Sequence, residues 1–550
     1  MVSAVLLDHL PGSSAGLRLA YVFVAAIFFS ILRYVVTVAQ FRATKNGISK
    51  QHPPLIPHVV PVLGTVPLGL VLNPLNYVQT FTAFWQRQPV RVRSFFQDIY
   101  VVQGAGHLTS MLKQHSISSF PVHKYIMANI FLLPKAALDT HAKDNSGPSP
   151  KPHLESTVEH RNRLEFHLRN SFHEFLLGPG QASLLKRVCR TATSRISSLD
   201  VGQEWTHVPD LVRLFKHHLT AASVDALTGP MIMEQNPAFP EDLWSIEEYG
   251  IRFLLKIPIF DQKPYQSRER AIEAVYSWQT WARNNFTPES VDEDGNDPFW
   301  GCSFFRKRDV MFSDMDGFCS RAKASVELAV IWAAQINAVM SSFWIVLETF
   351  LNPEYLQLVR EEVQPCVQAG PDGNPQIDSA KLARQPFLQA MLSESLRLHV
   401  HGFFARYPTR KDITVNGWDI PKDHICIASS TPAHMDPDFW CAGAASAHPV
   451  DEFWPWRFLK KDAVTGELQF SLEGTEGYLV PFGVGPHACP GRTYAKRLNL
   501  LTLALMVTLY DCDVLASNEQ LKMNGKKFPA GALTPCDVVP VRMRRRQYSP

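Results

Sequence analysis

No Cys-x-x-Cys pair, no His-Glu-x-x-His, no internal repeat and no low-complexity tract occur in the 550 residues. The nine cysteines are scattered singly between Cys189 and Cys536. Such an odd, unpaired set excludes a disulfide framework and a zinc site of the usual spacing, and it suits a reducing compartment. A surplus of one charge is lacking too: 54 basic against 51 acidic residues leave a net +3, too little to imply nucleic acid as a partner. Nor is this the composition of a disordered chain, with 46% hydrophobic and 19% charged residues. The length calls for one large multilobed domain or for two. His217-His218 reads as ordinary surface.

What is present begins after a tail of residues 1–18. Residues 19–32 carry no charge, and the apolar character resumes after Arg33 through Val38. A stretch of about 20 residues, each rising 1.5 Å, crosses a bilayer core. No small-residue cleavage site closes the run, so an anchor over residues 19–39 is expected rather than a removed signal. Arg33, Arg42, Lys45 and Lys50 follow, against Arg18 before. That asymmetry turns the main domain of a single-pass protein towards the cytoplasm, with the endoplasmic reticulum membrane as its expected location. Residues 40–64 read as a basic, proline-rich linker, in which Pro53-Pro-Leu-Ile-Pro57-His-Val-Val-Pro61 is a stiff spacer. A main domain over residues 65–550 follows, mainly α with small β-sheets. Its first part holds apolar strands such as Val90-Arg-Val-Arg93 and Tyr100-Val-Val-Gln103. Residues 153–351 read as mostly helical, and short strands and turns dominate from about Phe403.

The most telling segment is Phe482-Gly-Val-Gly-Pro-His-Ala-Cys-Pro-Gly491. The apolar, strand-like Tyr478-Leu-Val-Pro481 precedes it and a long apolar helix pattern over residues 493–509 follows. A thiolate that serves as axial ligand to haem iron needs such a frame. Glycine permits the tight bend, and main-chain N–H groups aimed at the sulfur moderate its electron donation. Phe482 would lie under the macrocycle and His487 would pair with a propionate. Gly483-Val-Gly485-Pro-His-Ala488 also fits a dinucleotide fingerprint, G-x-G-x-x-A. Against that reading, Pro486 removes an N–H that a pyrophosphate would use, and the loop comes too late for a full dinucleotide domain to follow. A structural turn with an inert buried cysteine is the third reading.

Upstream, Glu394 and Arg397 stand at i,i+3 on a helix running from about Leu382 and share a face. Phe453-Trp-Pro455-Trp-Arg457-Phe458 sets one arginine among four aromatics, where a guanidinium wants a carboxylate. Glu394, Arg397 and Arg457 then form a closed structural network behind the cysteine loop. The helix Glu-x-x-Arg, the aromatic Pro-x-Arg-Phe and Phe-x-x-Gly-x-x-x-Cys-x-Gly, in that order, resemble the cytochrome P450 superfamily. The resemblance runs over nearly the whole chain. It implies the P450 fold, with a long central helix over a haem whose axial thiolate is Cys489. It implies Phe482, Gly485, His487 and Gly491 as haem-binding positions, and Arg406 as a second propionate partner.

Residues 326–351 read as that central helix, ended by Asn352-Pro353. The family usually has Ala-Gly-x-Asp/Glu-Thr at its centre. Here Ala333-Ala-Gln335-Ile336-Asn337 puts isoleucine for the acid and asparagine for the threonine. Asn337 can hydrogen-bond an oxygen ligand or a water but cannot supply a proton at neutral pH. Gln335, Ile336 and Asn337 are the candidate catalytic positions. Trp332, Phe343-Trp344 and Gly531-Ala-Leu-Thr-Pro535 look similar to the branch of sterol 7- and 12-hydroxylases and prostacyclin synthase. The implied activity is oxygen insertion into a bulky apolar substrate (a sterol, terpenoid or meroterpenoid), with electrons from NADPH through a P450 reductase. The style resembles fungal secondary metabolism. A peroxide isomerase or dehydratase working without reductase, and a non-catalytic membrane haem protein, are the alternatives. Arg492, Lys496 and Arg497 offer either a reductase contact or a solvated helix face. Residues 118–133 and 242–257, together with Leu533-Thr534, fall where the family places substrate-facing segments.

Overall fold

The computed structural model describes residues 15–46, 52–57, 73, 75–76, 87–94, 97–370, 373–462, 464–526 and 531–547. The tail up to residue 14 and residues 58–64 of the proline-rich linker lie outside them. The chain divides into two compact units, one of Met1–Ser118 with Phe404–Pro432, the other of Ser119–Phe403 with Ala433–Pro550.

The first unit opens with helix α1, Ala15–Asn46. Its segment Leu19–Arg42 is 24 residues long, apolar enough to cross a membrane, and only 6% buried. The helix runs past residue 39, so positions 40–46 of the expected linker are helical. Gln40, Arg42, Ala43 and Lys45 are good helix formers, and no breaker comes before Gly47. The unit also holds a five-stranded sheet in the order Val90–Ser94, Gln97–Val102, Cys426–Ser429, Phe403–Pro408, Ile117–Ser118. The first two form an antiparallel hairpin, and the third lies parallel to the second. Alternation explains the hairpin's faces: Val90 and Val92 are buried, while Arg91 and Arg93 both pair with Asp98.

The second unit is built around helix α2, Ser320–Leu351. It matches α1 in length and is apolar enough for a membrane, yet it is 72% buried and forms the core. It begins before Val326 because Ala322, Ala324 and Ser325 already pack inward. It ends at Asn352, whose side chain accepts from Glu354 N–H and Tyr355 N–H to start the next helix. Leu211–Thr228, Lys263–Asn285, helix α3 (Pro386–His399) and helix α4 (Arg492–Leu509) pack around it. Helix α3 starts at Pro386, not near Leu382, which belongs to a separate turn of helix, Ser379–Leu382. Proline is favourable at a first helical position and prevents the two pieces from joining.

A buried ion pair pins α2 to the helix Ser303–Ser313. Arg308 Nε donates to Glu327 Oε1 at 2.8 Å, with both side chains 1% exposed. The Arg308 guanidinium also meets Ser171 Oγ at 2.9 Å and lies within 5.4 Å of the Phe172, Phe304 and Phe312 ring centroids. Removing one partner of such a pair leaves an uncompensated charge in an apolar site, whereas replacing both is close to neutral. Arg308→Met is therefore expected to destabilise the unit by about 3–5 kcal/mol, and Arg308→Met with Glu327→Leu to recover most of that. Urea unfolding of the two variants checks it.

Candidate functional site

The cysteine loop is shaped by its own backbone. Gly483 and Gly485 adopt φ of 69° and 62°, left-handed values that side chains resist. The Cys489 N–H donates to Phe482 O at 2.8 Å and closes the bend. Gly491 follows as the residue before α4, its N–H close enough to the Cys489 sulfur to favour the thiolate. Burial pushes the Cys489 thiol pKa up, while the Gly491 N–H and the Arg492 charge oppose that rise. The cysteine nevertheless remains accessible. His487 sits half-buried in the single helical turn Gly485–His487, and Phe482 packs against the main core.

The run Tyr478–Pro481 before the loop belongs to no strand. The Tyr478 ring stacks on Phe439 at 3.7 Å, and Val480 N–H donates to His434 Nε2 at 3.0 Å instead of to a neighbouring strand. Pro481 has no donor to give a ladder.

Behind the loop, Glu394, Arg397 and Arg457 come together in a dry cluster. Glu394 and Arg397 are fully buried and Arg457 is 2% exposed. The Glu394 carboxylate accepts from Arg397 Nε at 2.7 Å and Nη2 at 2.8 Å, from Arg457 Nε at 3.2 Å and from Trp454 N–H at 3.0 Å. Arg397 Nη1 then donates to His434 O at 3.0 Å and Val450 O at 2.7 Å. Arg457 donates to Trp440 O, and to Pro449 O at 2.9 Å.

His434 is the functional residue that the sequence did not reveal. Its Nδ1 lies 3.0 Å from Val400 O, and its Nε2 accepts from Val480. A carbonyl on one side and an N–H on the other assign the neutral Nδ1–H tautomer. The ring ties the end of α3 to the segment entering the cysteine loop. Both partners are backbone groups, so no pattern of side chains signals the link.

The candidate catalytic residues of α2 separate by face. Ile336 and Gln335 are buried; Gln335 is fully enclosed, with no partner for its amide. Ala333 and Asn337, one turn apart on the opposite face, are exposed in the middle of this otherwise buried helix. Of the three candidates, Asn337 alone reaches that open face. Its Oδ1 accepts from Ala532 N–H at 2.9 Å. Trp344, two turns on, donates from Nε1 to Leu533 O at 2.6 Å.

Arg406 belongs to the first unit. Its guanidinium donates to Ala405 O at 2.9 Å, leaves Nε buried without a partner, and has its pKa pushed down to about 10 by burial. It forms no ion pair among the described residues. Arg492, Lys496 and Arg497 are engaged locally: Arg492 donates to Cys489 O at 3.2 Å, Lys496 Nζ lies 5.9 Å from the Phe482 ring, and Arg497 donates to Ser379 O. Among the described residues, no group of three His, Cys, Asp or Glu could hold a bare metal ion. A single accessible thiol on a glycine-bent loop, with an N–H at its sulfur, suits an iron that brings its other ligands with it. The residues fit a haem.

A model of the cytochrome P450 family matches residues 320–536, the stretch holding α2, the Glu394 network and the cysteine loop. A cytochrome P450 monooxygenase of Hormonema carpetanum, efuG, is 26% identical over 533 residues, 92% of each chain. The cytochrome P450 monooxygenase fsoE of Humicola fuscoatra is 29% identical over 549 residues, 94% of this chain and 92% of its own. The cytochrome P450 monooxygenase calL of Penicillium decumbens is 27% identical over 461 residues, 81% of this chain and 84% of its own.

Burial lowers the pKa of His434 from 6.5 to about 3, and that of the neighbouring His401 to about 4. Both stay neutral in the fold but take protons once it unfolds. Their contribution to stability is thus complete above pH 6.5 and lost as pH falls from there towards about 4. Urea midpoints measured between pH 8 and 4.5 are expected to drop below about pH 6.5. His434→Gln should flatten that slope.

Proposed function

The chain belongs to the cytochrome P450 superfamily, and from that premise we propose a membrane-anchored monooxygenase of fungal secondary metabolism with Cys489 as the axial ligand of its haem. The observation that carries the reading is the accessible Cys489, held by a glycine-bent loop, with the Gly491 N–H at its sulfur. Haem bound through a thiolate supplies iron whose dioxygen chemistry is favoured by electron donation from sulfur.

The chain's own residues do the rest. The Glu394, Arg397 and Arg457 cluster keeps the loop's foundation rigid, and His434 transmits that rigidity to Val480. Gly485 permits the bend, and Phe482 and His487 flank the haem. The open face of α2 at Ala333 and Asn337 receives a bulky apolar substrate, a terpenoid, meroterpenoid or sterol. Residues 19–42 anchor the protein in the endoplasmic reticulum membrane with the catalytic domain facing the cytoplasm. Electrons come from NADPH through a separate P450 reductase. Arg492, Lys496 and Arg497 offer it either a docking contact or a solvated helix face.

A second reading has one observation in its favour. Ile336 is buried and the Asn337 oxygen is engaged by Ala532, so neither supplies a proton from the centre of α2. A haem-thiolate isomerase or dehydratase acting on a peroxide needs no such proton relay. Turnover strictly dependent on NADPH and reductase supports the monooxygenase; turnover of a peroxide without either supports the isomerase. For the ligand itself, Cys489→Ser should abolish the thiolate-type Soret band of the reduced carbon monoxide complex. Persistence of that band in the variant would assign the iron to another residue.

A further inference from the structure

The Gly531–Ala532 strand pairs antiparallel with Val400–His401, Ala532 opposite Val400. Helix α2 grips the strand and the following residue at two points, one on its open face and one buried. Asn337 Oδ1 accepts from Ala532 N–H at 2.9 Å, and Trp344 Nε1 donates to Leu533 O at 2.6 Å. The Trp344 ring is itself held flat against His399, centroids 4.0 Å apart and planes 4° apart, and His399 Nε2 lies 2.9 Å from Glu348 Oε1. Leu533 N–H returns to His399 O at 3.0 Å. One amide and one indole, seven residues apart and so nearly aligned on α2, therefore read two consecutive residues of the C-terminal segment.

Gly531 is matched to this grip. A Cβ built there would stand 1.9 Å from Asn337 Oδ1 and 2.5 Å from its Cγ. The glycine is required for space, because its φ is not in the left-handed range. The partner also fixes the amide's orientation, since only Oδ1 can accept from an N–H.

We propose that Asn337 is a positioning residue: with Trp344 and the space left by Gly531 it locks the C-terminal strand to α2 and so sets the shape of the substrate cavity on that face. This deepens the monooxygenase reading, since it assigns the control of substrate shape to a polar lock at the centre of α2. An ordinary threonine at this position would not reach the strand with an amide oxygen. The chain's departure at residue 337 is thus a structural device.

Amide hydrogen exchange on the full-length, haem-loaded protein tests the lock. Asn337→Leu should raise exchange at Ala532 and Leu533 tenfold or more, and Asn337→Asp, which keeps an acceptor, should leave it within twofold. Gly531→Ala should mimic Asn337→Leu, yet add nothing in an Asn337→Ala background, where the clash has no partner. Unchanged exchange in Asn337→Leu, or an additive cycle, overturns the proposal. For the cavity, ketoconazole and imidazole serve as large and small haem-coordinating probes. Asn337→Leu should weaken ketoconazole binding fivefold or more and leave imidazole within twofold; equal effects on both, or on neither, also overturn it. The exchange measurement does not depend on the chemistry at iron. The carbon monoxide spectrum of the wild type tests the haem-thiolate reading apart from it.

Discussion

One buried carboxylate organises the second unit. Glu394 has no contact with water and accepts four hydrogen bonds, three from arginine nitrogens and one from the Trp454 backbone. A charge in that position is tolerated only because every lone pair has a donor. The arginines it neutralises spend their remaining donors on carbonyls of the irregular segment around residues 434–450. An irregular backbone is thereby held as firmly as a helix, which is what a loop must rest on if it presents a single sulfur in a fixed direction.

Val400 is where this rigidity divides. Its carbonyl meets His434, which holds Val480 at the entrance to the cysteine loop. Its pairing with Ala532 leads the other way, to the strand gripped by Asn337 and Trp344. The sulfur-bearing loop and the open face of α2 are thus both tied to the short strand Val400–His401. In a haem-thiolate enzyme these correspond to the ligand side and the substrate side. With isoleucine and asparagine at the centre of α2, the asparagine amide fastens Ala532 N–H.

The sequence was legible where side chains recognise side chains. Glu394, Arg397 and Arg457 are charged residues in apolar or aromatic settings, and such residues advertise a need for partners. The glycines flanking Cys489 advertise backbone conformation in the same way. Legibility failed where a side chain meets backbone. Nothing in Ala433-His434-Met435 says that its histidine seeks Val400 O and Val480 N–H. Nothing in Gly531 says that it must be small for Asn337, 194 positions earlier. Periodicity also could not say that Gln335 turns away from the open face, since α2 is apolar almost all round. The strand-like Tyr478–Pro481 misled for a related reason: its composition suits a ladder, but a histidine ring took the N–H that a strand would have shared.

The cysteine loop is held in place from Glu394 through Arg397 and His434. The direct measurement is backbone amide exchange at Val480 and Cys489 in Glu394→Gln compared with wild type. Faster exchange is expected at both amides, by tenfold or more, together with the amides around residue 454. Exchange that rises around residue 454 alone, with Val480 and Cys489 unchanged, would contradict it.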